Sequence, residues 1–185
     1  MRTTRILAAA TLTLALAVGG GLAGGALKSG PQKGEMIPGP FHPVNVTGKH
    51  ANEKHCLVCE NGTNPVAMVF AREVSAPLTK LIQQLDTATA KNRDKNMGSF
   101  VVFLSDKEGL ADQLKKVAGD AKLQHIVLSI DNPAGPEKYN VSRDADVTVV
   151  LYSRHNVLAN HTFRKGQLND AAITRIMSDV PKILP

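Results

Sequence analysis

The chain has 185 residues, a formal net charge of +6, 43% hydrophobic and 4% aromatic residues, and two cysteines. That length gives one domain with a core large enough to need no extra staples. The basic residues are scattered with few aromatics among them, a solvated and mildly basic surface that excludes a nucleic-acid-binding face.

Residues 1–26 read as an export signal. Arg2 and Arg5 form a positive start, Ile6–Val18 is an uncharged Leu/Ala-rich run, and Ala23, Gly24 and Ala26 supply small residues for cleavage. The two arginines are separated by threonines, so the signal is not of the twin-arginine kind. Uncleaved, Ile6–Leu27 is long enough to span a bilayer, but its run of three glycines makes a poor membrane helix. Cleavage leaves 159 residues at +4, with no membrane segment. Localisation is therefore expected to be periplasmic or extracellular, in an oxidising compartment that permits a disulfide. Asn45, Asn61, Asn140 and Asn160 each begin an N-x-S/T triplet, a glycan acceptor only in a eukaryotic secretory pathway.

Residues 27–43 are rich in Gly, Pro and Lys, and the three prolines in Pro38–Pro43 exclude a helix. They read as an exposed linker and extended lead-in. The folded domain is expected over 44–185, opening with a short edge strand at Val44–Thr47 closed by Gly48.

A polar loop then delivers the only two cysteines, in His55-Cys56-Leu57-Val58-Cys59-Glu60-Asn61-Gly62. A C-x-x-C pair serves as a redox dithiol, as half a metal site or as a tight clasp. For redox chemistry, Lys54 and His55 favour a thiolate while Glu60 opposes it. Asn61-Gly62 signals a turn, so no help from a helix terminus is expected. As a metal site, Cys56 and Cys59 would join His50 and His55 around zinc or copper, with His42 a further candidate. As a structural disulfide, the pair would pin a turn; so short a loop stabilises by less than the ~3 kcal/mol of a 15-residue one. Outside the metal reading no cofactor is implied. Glu60 after Cys59 excludes haem attachment.

From residue 65 the pattern is regular. Pro65–Ala71 is continuously apolar, as in a strand covered on both faces. Ser75 caps a helix with Pro77 in its first turn and Leu78, Leu81, Ile82, Leu85 and Ala88 on one face. Ser99–Leu104 is a second buried strand. Ser105–Glu108 has the form of a capping box before a helix marked by Leu110, Leu114, Val117 and Ala118. His125–Ile130 is a third strand, and Asn132–Tyr139 allows only a short helical turn. Val147–Tyr152 and Val157–Phe163 form a hairpin around Ser153–Asn156, and Ile173, Ile176, Met177 and Val180 line a closing helix. The order β-α-β-α-β-β-β-α, with the short turn before the hairpin, implies an α/β three-layer sandwich. Its mixed sheet carries a C-terminal hairpin and a closing helix.

Three segments resemble the thioredoxin-like superfamily, in its redoxin and peroxiredoxin-like branch. These are the lead-in Ile37–Gly48, the passage Tyr139-Asn140-Val141 followed by Val147–Tyr152, and Phe163–Leu168 before the last helix. The extra helix and strand over 107–130 resemble the insertion that enlarges redoxins. Together these cover most of residues 37–184. The resemblance implies a thiol–disulfide oxidoreductase with a protein thiol or disulfide as partner, Cys56 attacking and Cys59 resolving.

The departures from that pattern are specific. Related folds carry the reactive cysteine after the first core strand, where this chain has Arg72-Glu73-Val74-Ser75. Val147 stands where they place a cis-proline, and a cis bond before a non-proline residue costs roughly 3 kcal/mol. The cysteines precede the first core strand and are expected at its amino-terminal edge, whereas open α/β sheets place their sites beyond the carboxyl ends. The rival expectation is a non-catalytic accessory domain. Arg72 and Glu73 read as solvated loop charges, with anion binding by Arg72 the alternative, and His125, His155 and His161 as isolated.

Overall fold

The computed structural model describes residues 27–185, so the signal reading of residues 1–26 lies outside the described residues. The elements are β1 (Val44–Asn45), α1 (Leu57–Asn61), β2 (Val66–Ala71), α2 (Ala76–Lys91), β3 (Gly98–Leu104), α3 (Leu110–Asp120), β4 (Ile126–Asp131), β5 (Val147–Ser153), β6 (Asn156–Phe163) and α4 (Asp170–Asp179). The six strands form one mixed sheet in the order β1-β4-β3-β2-β5-β6. β2–β3 and β3–β4 pair parallel, as helical crossovers require; β2–β5, β5–β6 and β1–β4 pair antiparallel.

Every residue of β2 is buried, as its unbroken apolar run requires. Alternate residues divide between two cores. Ala67, Val69 and Ala71 face Leu78, Leu81, Ile82 and Leu85 of α2, Leu114 of α3 and Ile173 and Ile176 of α4. Val66, Met68 and Phe70 face a thinner layer made of Ile37, Phe41, Tyr139 and Leu57 and Val58 of α1. The mixed α/β, three-layer reading holds.

Ser75 caps α2 as expected, accepting from the Leu78 amide at 3.4 Å. The hairpin turn places Arg154 and His155 at φ 51° and 62°, the paired left-handed conformation whose twist suits a two-residue loop.

Three local expectations are corrected. Residues 29–41 are not a free linker but are docked on the domain, although Lys33–Met36 stay exposed. Ser29 is buried, with Thr148 Oγ1 donating to its hydroxyl at 2.7 Å and Asn160 Nδ2 to its carbonyl at 2.8 Å. The segment continues along β6, with Gly34 N–H donating to Val157 O and Val157 N–H to Glu35 O, and so covers an otherwise open sheet edge. The Ser105–Glu108 capping box does not form. α3 starts later, after Gly109 at φ 73°, and Ser105 Oγ accepts from Lys107 N–H instead. Residues 132–139 make turns without a helix.

Candidate disulfide site

Cys56 and Cys59 form a disulfide, with Cα atoms 5.2 Å apart. The expectation that no helix terminus would assist them is overturned. Cys56 is the N-cap of α1, and its sulfur accepts a hydrogen bond from the Cys59 amide at 3.1 Å. Asn61-Gly62 closes that helix: Asn61 Nδ2 donates to Leu57 O at 2.7 Å, and Gly62, at φ 53°, donates to Val58 O. The turn signal was real, but it marks the helix end, as a glycine in the left-handed region does.

Leu57 and Val58 anchor α1 in the thinner core, which fixes the two sulfurs differently. Cys56 is 6% exposed, packed among that layer's apolar side chains, whereas Cys59 is exposed. The order is the reverse of a pair in which the first cysteine is the accessible one. Cys59 lines a groove of about 240 Å³ together with Val58, Met36, Ile37, Pro40 and His155. Met36 is itself 61% exposed. Hydropathy and motif reading miss Met36 and His155, because the β5–β6 turn carries His155, and the bridge of Met36 to Asn156 carries Met36, to the cysteines across long stretches of sequence.

The disulfide sits at the amino-terminal edge of the parallel strands, as its place in the chain implies. The β5–β6 turn that shares its groove lies beyond the Val66–Tyr152 pair at the start of β2, and Arg154 N–H donates to Thr63 O at 3.0 Å. Ser75 and the start of α2 are at the opposite edge.

At that opposite edge Arg72 is half-buried and its guanidinium is engaged, so it is neither a freely solvated charge nor free to hold an anion. Its guanidinium donates to the carbonyls of Ala145, Pro133 and Ser142 at 3.0, 2.9 and 3.0 Å, tying down the loop before β5. Lys165 pairs with Glu73 at 2.7 Å. Burial, followed by the nearby Glu73 charge, raises the pKa of Asp146. The place where related folds hold a reactive cysteine is thus filled by a structural cation. Among the described residues no peptide bond is cis, including that before Val147.

The loop ahead of α1 folds back on β1. Asn45 N–H donates to Glu53 O and His55 N–H to Pro43 O. It brings His50 and His55 together with their rings stacked 3.8 Å apart. His55 Nε2 lies 2.9 Å from Glu60 Oε2, and His50 Nδ1 lies 3.3 Å from Glu53 Oε2. The His55–Glu60 contact offsets the two opposing influences expected on the cysteines. The expected metal set of His50, His55, Cys56 and Cys59 is only half assembled, since disulfide sulfurs offer no thiolates. His42 is exposed and lies elsewhere, near Lys54 and Asp131. His125 is on the loop before β4, and His161 faces Asp179 at 3.1 Å.

No protein-family model and no curated protein sequence matches the chain. Solved structures do. A protein proposed to be a disulfide isomerase from Bacteroides thetaiotaomicron superposes with a TM-score of 0.62 at 16% identity, over 85% of this chain and 94% of that one. The peroxidoxin BcpB of Mycobacterium tuberculosis gives 0.60 at 11% identity, over 84% and 99%. The thioredoxin domain of a thiol-disulfide oxidoreductase from Bacteroides vulgatus gives 0.56 at 14%, over 84% and 99%. The chain has the thioredoxin-like fold.

Proposed function

We propose that the protein is an exported thiol–disulfide exchange protein that reacts at Cys59, from the edge of the sheet opposite the usual site. The observation that carries this reading is the pairing of an exposed Cys59, lining a groove, with a buried Cys56 that caps α1. A substrate thiolate attacks Cys59 Sγ, the Cys56–Cys59 bond breaks, and Cys56 leaves as a thiolate. The Cys59 amide, already aimed at Cys56 Sγ, stabilises that charge as a hydrogen bond to an anion does. A second substrate thiolate then displaces Cys59. Substrate loses two electrons as its disulfide forms, and the protons of its two thiols end on Cys56 and Cys59. The reverse direction reduces a substrate disulfide.

The same arrangement supports a second reading. Cys56 packs with Leu57 and Val58, so the disulfide also serves as a clasp that pins the first turn of α1 in a non-catalytic accessory domain. Insulin reduction with dithiothreitol separates the two. Exchange predicts turnover well above that of the Cys59→Ser and Cys56→Ser variants; turnover equal to theirs leaves the clasp. Export rests on the signal pattern of residues 1–26, and an oxidising compartment keeps the pair as a disulfide. Among the described residues no helix is long and apolar enough to cross a membrane.

A further inference from the structure

We infer that His50, His55 and Glu60 form a binding site for a zinc-class divalent transition metal ion, built beside the disulfide and independent of its sulfurs. One ligand atom from each residue lies within 4.8 Å of the other two. Two bonds of about 2.1 Å at a tetrahedral angle put ligand atoms roughly 3.4 Å apart. To close on an ion the widest separation therefore contracts by little more than an ångström, while the His55–Glu60 contact of 2.9 Å opens by roughly half an ångström, and the members can do both. The side chains of His50, His55 and Glu60 are 27%, 28% and 45% exposed. The imidazoles stack nearly parallel, 12° apart, so binding requires one ring to swing out of the stack until both ring planes point at the ion.

The donors suit this class of metal. Two imidazoles and one carboxylate, with the remaining position left to water, are a zinc donor set, and imidazole disfavours calcium and magnesium against zinc, copper or nickel. The ion would take the place of the proton now shared between His55 Nε2 and Glu60 Oε2. Glu53 at His50 Nδ1 is the outer carboxylate that orients a ligating histidine and leaves its Nε2 for the metal. The backbone holds the donors ready. Gly48 at φ 83° and Asn52 at φ 68° turn the loop, its return onto β1 fixes His50 and Glu53, and the capped start of α1 fixes His55 against Glu60.

The test is calorimetric titration of zinc chloride into the untagged, oxidised protein. One equivalent should bind, His55→Ala and Glu60→Gln should each weaken binding at least tenfold, and His42→Ala should leave it unchanged. Nickel should broaden the ring signals of His50 and His55 in the wild-type NMR spectrum, a readout that needs no variant to fold. Undiminished zinc affinity in His55→Ala, or ring signals that nickel leaves sharp, would overturn the site. So would binding that appears only after reduction and vanishes in Cys59→Ser, which would place the metal on thiolates instead.

Discussion

The side-chain amide of Asn61 occupies the space that a Cβ on Gly98 would need. Through this contact the last residue of α1 is seated on the first residue of β3. Asn61 also holds the Leu57 carbonyl, so the short helix carrying the disulfide is registered against a central strand. Gly98→Ala forces Asn61 away. We expect a loss of about 1–3 kcal/mol, the usual cost of overpacking, read as a lower urea midpoint. Asn61→Ala combined with Gly98→Ala should recover part of it, and a neutral Gly98→Ala would refute the seating.

Exposure ranks the sulfurs. In Cys56→Ser the remaining Cys59 thiol should react with a disulfide reagent such as dithionitrobenzoate at least about tenfold faster than the Cys56 thiol left in Cys59→Ser, because access limits the buried thiol. Stopped-flow absorbance measures both. Equal rates, or a faster Cys56, would show that the reactive sulfur has been misassigned.

Arg72 works at the far edge. Its three bonds to carbonyls are charge-assisted, each worth roughly 1.5–3 kcal/mol when buried. These carbonyls are only partly shielded and regain water, so Arg72→Ala should cost about 2 kcal/mol in all. Arg72→Lys should recover little, since an ammonium cannot reproduce the planar fork. The thiol reactivity of Cys59 should not change in either variant, and a change would show that the two edges are coupled.

Acid should destabilise the fold through His161 and Asp179. Burial lowers the pKa of His161 despite the opposing pull of Asp179, and the hydrogen bond from Lys182 is the main cause holding Asp179 below the usual carboxylate range. Both groups bind fewer protons folded than unfolded in their windows, so both lose stability as pH falls. The histidine step begins near the unfolded imidazole value of about 6.5 and the aspartate step near about 3.9. Urea midpoints measured from pH 8 to pH 4 should decline through the first window. His161→Gln should flatten that decline; an identical slope in the variant would remove His161 as its source.

Hydrophobic pattern made the central sheet legible, because β2 is apolar and buried throughout and β3 and β5 are buried along nearly their whole length with only Ser99, Thr148 and Ser153 breaking their apolar runs. What pattern missed was held by polar atoms. Ser29 reads as linker by composition, yet its hydroxyl and carbonyl are bound by Thr148 and Asn160. The site was half legible. The spacing of Cys56 and Cys59 was visible, but the five-residue α1 is too short to show a period and depends on a sulfur cap that residue propensity does not register. The groove residues Met36 and His155 and the carbonyl partners of Arg72 come together only through tertiary contacts.

The docking of residues 29–37 along the hairpin gives the molecule a direction. Ser29 lies beside Thr148, near one end of β5, and Met36 pairs with Asn156 beyond the other. At about 3.3 Å per strand residue those ends are roughly 20 Å apart. Whatever precedes residue 27 therefore joins the domain at one pole, while the disulfide looks out from the other.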